Sequence, residues 1–192
     1  EALRAYTHEF TNKLHVILGL LQLGDVQRAE EYVLRITESR TQSMEYIGDR
    51  IRDPSIAALL IGKAYRAAEL DIRFTLDPAS TLSSNGQFLP ISELITVLGN
   101  LIENVFDALR AMPTDLPSEV TVSIRESAHG LLLSVDDTGP GIPEEVKPHI
   151  FQRGFSTKGD GRGTGLALVY DTIQAYNGTI RVETEVGVGT SF

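Results

Sequence analysis

The chain has 192 residues, 42% of them hydrophobic and 22% charged, an ordinary globular balance that suits one large domain or two small ones. Its 26 acidic and 17 basic residues leave a net charge of -9. That argues against nucleic acid or an anionic membrane surface as the main partner, because neither is attracted to such a field. With no cysteine, disulfide frameworks, thiolate zinc sites and cysteine nucleophiles are all excluded.

Residues 3–23 have helical periodicity. Leu3, Phe10 and Ile17 interleave with Thr7, Leu14 and Leu21, at the alternating spacings of a coiled-coil seam. Gly24-Asp25 supplies a helix stop and a turn. A second helix then carries Val26, Ala29, Val33, Ile36, Arg40, Ser43 and Ile47 in a similar register, weakened by Arg40 and Ser43. Two amphipathic helices joined by a tight turn form an antiparallel hairpin. One hairpin cannot cover its own apolar stripe, so a second copy is expected to complete a four-helix bundle, making the protein a homodimer. The alternative is that the stripe docks on the rest of the same chain. No apolar run approaches the roughly 18–20 residues of a membrane span. The chain opens at Glu1 without Met and stops at Phe192 in a strand-like segment. It is therefore expected to be a piece of a longer protein, attached to a membrane only through segments outside it.

Arg52-Asp53-Pro54 breaks the pattern and marks the expected boundary between a domain over 1–52 and another over 53–192. Asp53 is placed to cap a helix with Pro54 at its first position, running to about Leu70. Beyond it the pattern turns to mixed α/β, so the fold class is α+β. A short strand is predicted over 71–76, a polar loop over 80–87 and a long helix over 91–112. Two strands, 120–124 and 131–135, join around His129-Gly130 as a hairpin. Residues 139–163 form a long irregular stretch of the kind that serves as a lid. A helix over 164–176 and strands over 179–183 and 190–192 complete the chain.

Four short motifs fall in order within the second domain. Asn100, Glu103, Asn104 and Asp107 include pairs three and four residues apart on the long helix, read as one face, and hard oxygen donors on one face suit a hydrated Mg²⁺. Taken alone, the pattern is better read as the solvated side of an amphipathic helix. Asp137-Thr-Gly139-Pro-Gly141 follows a strand. A buried carboxylate there could accept from an amine such as adenine N6, with glycines letting backbone approach the flat base; a plain turn is the competing reading. Phe151-Gln-Arg-Gly154-Phe155-Ser-Thr-Lys158 precedes Gly161-Arg162-Gly163-Thr164-Gly165-Leu166. Alternating glycines that run into a helix set free backbone N–H groups beside an anion, and Lys158 and Arg162 can add phosphate charge. This is neither a Walker sequence nor a dinucleotide fingerprint.

In order and spacing these four motifs resemble the N, first glycine, F and second glycine boxes of the Bergerat (GHKL) ATP-binding fold, an α/β sandwich shared by histidine kinases, gyrase B, Hsp90 and MutL. The resemblance covers 91–192, including a closing Gly189-Thr190-Ser-Phe192. It implies that Asp137 reads adenine, that Asn104 holds Mg²⁺ with Glu103 as a further candidate, and that Asn100 assists at the phosphates. Asp107, Gly139, Gly141, Lys158, Gly161, Arg162, Gly163, Thr164, Gly165, Leu166 and Thr190 would complete the ATP site, under a lid over 143–163.

The ATP fold does not choose the reaction. Glu103 keeps an ATPase reading open, because gyrase-type enzymes use a glutamate on this helix to activate water. The first hairpin argues otherwise. His8 lies one step off its seam, partly exposed, and an imidazole is largely neutral and nucleophilic near pH 7. Glu9 could accept one ring N–H and leave the other nitrogen to attack. Asn12, one turn on, could orient a water for the reverse hydrolysis. His15 has no adjacent acid and reads as a bundle-surface histidine; His129 and His149 have no evident partner. An isolated His-Glu pair is more often an ordinary surface pair. Here, however, residues 3–20 resemble the H-box of the citrate- and C4-dicarboxylate-sensing histidine kinases (CitA/DcuS type), and Asp53 to Lys63 resembles the start of that family's catalytic domain. This implies a two-component sensor kinase core, the cytoplasmic portion of an inner-membrane protein. It would use ATP and Mg²⁺ to phosphorylate His8 and pass the phosphoryl to an aspartate of a response regulator receiver domain, with phosphatase activity in reserve. A Bergerat ATPase with Glu103 as base, a phosphotransferase of the Spo0B kind and a non-enzymatic interaction module are the alternatives.

Overall fold

The computed structural model describes residues 14–37, 44–83, 87–113, 116–156 and 163–192. The chain divides into two units, Glu1–Arg40 and Thr41–Phe192. In the first, residues 14–22 (α1) and Val26–Thr37 (α2) are helical on either side of a tight turn. Gly24, with φ of 76°, ends α1. Its N–H bonds the Leu21 carbonyl at 3.0 Å, and the Asp25 N–H bonds that of Leu20 at 3.0 Å, the pair of bonds that closes a helix around a left-handed residue. Asp25 then caps α2, its carboxylate accepting from the Arg28 N–H at 3.2 Å. Ala29 is buried, whereas Leu14, Leu18, Leu21 and Val26 remain about half exposed or more.

Helix α2 is described from Val26 to Thr37, and the Arg40 and Ser43 positions of the expected second helix lie outside the described residues. The segment Met44–Arg50 (α3) belongs to the second unit, where Ile47 and Ile51 are 0% and 2% exposed within its core. The division thus falls after Arg40, ahead of the Arg52-Asp53 break, because these two isoleucines pack with the following domain. Ile47 continues the periodicity of the hairpin, yet its burial is elsewhere.

Pro54–Glu69 (α4) begins as its sequence dictates. The Asp53 carboxylate accepts from the Ser55 and Ile56 N–H groups at 2.9 and 3.0 Å, with Pro54 in the first turn. Then come Arg73–Leu76 (β1), Ile91–Arg110 (α5), Glu119–Ser127 (β2), Gly130–Asp137 (β3), a 3₁₀ turn at Lys147–His149, Gly165–Ala175 (α6), Glu183–Glu185 (β4) and Gly189–Ser191 (β5). The five strands lie in the order β1-β2-β3-β5-β4; β1 runs parallel to β2, and the other pairs are antiparallel. Alternate side chains of β2 (Val120, Val122, Ile124) are buried, the period-two signature of a sheet covered on one face. They share one core with Leu60 of α4 and with Leu94, Leu98, Ile102 and Phe106 of α5. The result is a two-layer α/β sandwich. The predicted strand over 179–183 is not formed as such: β4 starts only at Glu183 and pairs with β5 alone.

Candidate nucleotide site

A cavity of about 400 Å³ opens between α5, the loop after β3, the start of α6 and the last hairpin. Helix α5 builds one wall. Its apolar stripe enters the core, which fixes the rotation of the helix, and Asn104, Asp107, Ala108 and Ala111 are thereby turned into the cavity at spacings of three and four. The Asn104 amide nitrogen is buried and finds no hydrogen-bond partner among the described residues. That side chain is uncommitted.

The opposite wall is the end of β3. Asp137 lines the cavity and its Oδ1 accepts the Gly139 N–H at 2.7 Å, while the Thr190 backbone contributes a second hydrogen bond. Burial pushes this carboxyl above the ordinary carboxylate range, with the neighbouring Asp136 adding to the rise and the two backbone bonds opposing it. The turn after it is packed directly on the β4–β5 hairpin. Gly141, at φ of 72°, leaves no room for a side chain, since a Cβ there would stand 2.3 Å from the Glu185 carbonyl oxygen. Gly163, Gly165 and Leu166 bring the N-terminus of α6 to the cavity, where its unpaired N–H groups favour negative charge. Apolar walls from Ile142, Ile150 and Phe155 suit a flat ring. Ile142 directly follows the second motif and Phe155 stands in the third, whereas Ile150 was not singled out.

Asn100 does not line the cavity. Its amide donates to the Thr96 carbonyl at 2.7 Å, and its Oδ1 abuts the first residue of α6, 2.8 Å from where a Cβ on Gly165 would lie. Thr164 stands at the N-cap of α6 without a side-chain capping bond. Glu103 departs from the single-face reading. One residue before Asn104, it is rotated by about 100°, lies off the cavity lining, and is ion-paired with Lys63 of α4. His8, Glu9 and Asn12, and likewise Lys158, Gly161 and Arg162, lie outside the described residues. His15 and His129 are exposed, and the exposed His149 ring rests 5.7 Å from that of Phe155. Among the described residues no cluster of three or more His, Cys, Asp or Glu could hold a metal by itself, and no helix is long and apolar enough to cross a membrane.

Residues 91–192 match the family of histidine kinase-, DNA gyrase B- and HSP90-like ATPases, and residues 1–47 match the alpha-helical domain of SpoOB-type sensor kinases. Over all 192 residues the chain is 41% identical to the sensor histidine kinase DcuS of Escherichia coli K12 and covers 35% of it. It is 36% identical over the same length to the sensor protein CitS of Bacillus subtilis strain 168, again covering 35%. The chain thus spans about a third of the length of these curated relatives. Among solved structures, the catalytic domain of the histidine kinase ThkA matches with a TM-score of 0.53 at 23% identity, over 71% of this chain and 88% of that one. Full-length ShkA, solved in complex with AMPPNP, matches with a TM-score of 0.58 at 21% identity, over 100% of this chain and 44% of that one. Both share the fold. The chain belongs to the histidine kinase-, DNA gyrase B- and HSP90-like ATPase family.

Proposed function

We propose that this chain is the kinase core of a two-component sensor histidine kinase, in which the cavity holds ATP and His8 receives the γ-phosphoryl. The observation that carries the nucleotide reading is the half-buried Asp137 carboxyl, held by two backbone N–H groups at the wall of an otherwise largely apolar cavity. Such a group is set to accept from the exocyclic amine of adenine. Similarity to DcuS and CitS over the whole of this chain supports the rest: a homodimer through the exposed stripe of α1 and α2, a response regulator as phosphoryl acceptor, and a place on the cytoplasmic side of a membrane sensor.

Mg²⁺, when bound with the phosphates, supplies charge neutralisation of the β- and γ-oxygens. Asn104 would hold it through its amide oxygen, leaving the unpaired amide nitrogen to donate to a phosphate oxygen, and phosphate and water oxygens would fill the other positions. Asp137, the glycine turn and the α6 N-terminus orient the nucleotide. Lys158 and Arg162 add positive charge at the phosphates. A ring nitrogen of His8 then forms the new P–N bond as the bond from the γ-phosphorus to the bridging oxygen breaks and ADP leaves, with Glu9 holding the other ring N–H. Asn12 orients water for the reverse, dephosphorylating reaction. This is positioning chemistry rather than covalent assistance.

Glu103 as the base of a water-activating ATPase is the second reading, and its ion pair with Lys63 away from the cavity weighs against it. Incubation with γ-labelled ATP separates the two. Label that survives base, is lost in acid, disappears in His8→Gln and persists in Glu103→Gln supports the kinase. Phosphate release without labelled protein, abolished by Glu103→Gln, would overturn it.

A further inference from the structure

We propose that Thr184, which lies outside all four boxes, is a positioning residue of the nucleotide site, its hydroxyl fastening the glycine turn to the strand that carries Thr190. The proposal rests on the ATP reading above. Thr184 is the middle residue of β4 and does not line the cavity. Its Oγ1 nevertheless meets three groups, two of them on residues of the cavity wall. It accepts the Ile142 N–H at 2.8 Å, lies 3.1 Å from the Gly189 carbonyl oxygen, and lies 3.1 Å from the Thr190 hydroxyl.

A hydroxyl has one proton and two lone pairs. With that proton on the Gly189 carbonyl, the lone pairs take the Ile142 N–H and the Thr190 O–H, and the hydroxyl is fully used. Both Ile142 and Thr190 line the cavity, and the Thr190 backbone bonds the Asp137 carboxylate. One unbroken path therefore runs from the carboxylate through Thr190 and Thr184 to the turn that carries Ile142. A second tie, from the Gly187 N–H to the Pro140 carbonyl at 2.9 Å, holds the same turn at its other end. With that tie intact, loss of the Thr184 hydroxyl frees Ile142 and turns the Thr190 hydroxyl loose without detaching the hairpin. The consequence falls on the shape of the adenine end of the cavity, not on phosphoryl transfer.

The test compares wild-type protein with Thr184→Val, which keeps the shape and removes the hydroxyl, Thr184→Ala, which removes it without branching at Cβ, and Thr184→Ser, which restores it. ATP affinity is measured by calorimetry, and the KM for ATP and kcat by autophosphorylation. Each hydroxyl-free protein is expected to show Kd and KM raised about tenfold, the worth of one or two net hydrogen bonds, with kcat at saturating ATP within about twofold of wild type. Thr184→Ser is expected to bind within about twofold of wild type. A wild-type Kd in either hydroxyl-free protein, or a Thr184→Ser protein as weak as Thr184→Val, overturns the proposal. Failure of the wild-type protein to bind ATP would instead overturn the nucleotide reading beneath it.

Discussion

Asp137 is the residue on which chemistry and stability meet. Its carboxyl is raised by burial, so over the window between its ordinary value and the raised folded value the folded chain keeps a proton that the unfolded chain has lost. Stability from this group is full below that range and is lost as pH rises through the folded value. An amine donor brought against the carboxylate favours the ionised form, so nucleotide binding expels the proton and ATP affinity rises with pH through the same window. Urea melts and ATP titrations at stepped pH check both signs, and Asp137→Asn is expected to flatten both dependences; persistence of either in that variant would locate the titration elsewhere. Asp137 and Asn104 could be singled out from the sequence because their motifs join a polar side chain to its local backbone context, and both line the cavity. Glu103 was misplaced because spacing in a list does not convey the 100° step between neighbours on a helix. Thr184 carried no local signal, since its partners Ile142 and Thr190 are 42 and 6 residues away.

The elements around the cavity show a division between what periodicity encodes and what only packing decides. Helix α5 was readable along nearly its whole length, since Leu94, Leu98, Leu101, Ile102, Val105 and Leu109 form one buried stripe. The cap of α4 was readable for the same local reason. The short strands β4 and β5 were harder. Three residues each, they are set by pairing across Gly187 and by the glycine turn lying on them, and neither relation has a sequence period. That contact is tight enough to test. In Gly141→Ala the new Cβ would meet the Glu185 carbonyl oxygen at 2.3 Å on a backbone with φ of 72°, a conformation that costs a non-glycine residue about 1–3 kcal/mol before any clash. The expected outcome is a loss of at least about 2 kcal/mol in chemical denaturation, accompanied by weaker ATP binding, because relief requires the hairpin to move off the turn. A variant with wild-type stability would show that the hairpin yields freely and that the turn does not depend on it.

At the scale of the molecule, the second compact unit begins at Thr41, ahead of the boundary expected at Asp53. The sequence break at Arg52-Asp53 is a break in helical pattern, and backbone bonds and buried side chains lie on both sides of it. The Arg52 N–H bonds the Leu82 carbonyl at 3.0 Å, the Leu82 N–H returns to the Arg50 carbonyl at 3.3 Å, and Ile47 and Ile51 are fully buried on the near side of it. Burying an isoleucine side chain contributes about 1.5–3 kcal/mol, so a fragment over 53–192 forgoes roughly 3–6 kcal/mol that one over 41–192 retains. Domains of this size have only about 5–15 kcal/mol in total. The fragment 41–192 is therefore expected to melt cooperatively and bind ATP with the affinity of the whole chain. The fragment 53–192 is expected to melt far lower or to expose its core to hydrophobic dyes. Equal stability of the two would return the boundary to Asp53 and make α3 an extension of the hairpin. A higher melting temperature for 41–192 alone would mean that periodicity carried Ile47 past the hairpin while burial claimed it for the nucleotide-binding unit.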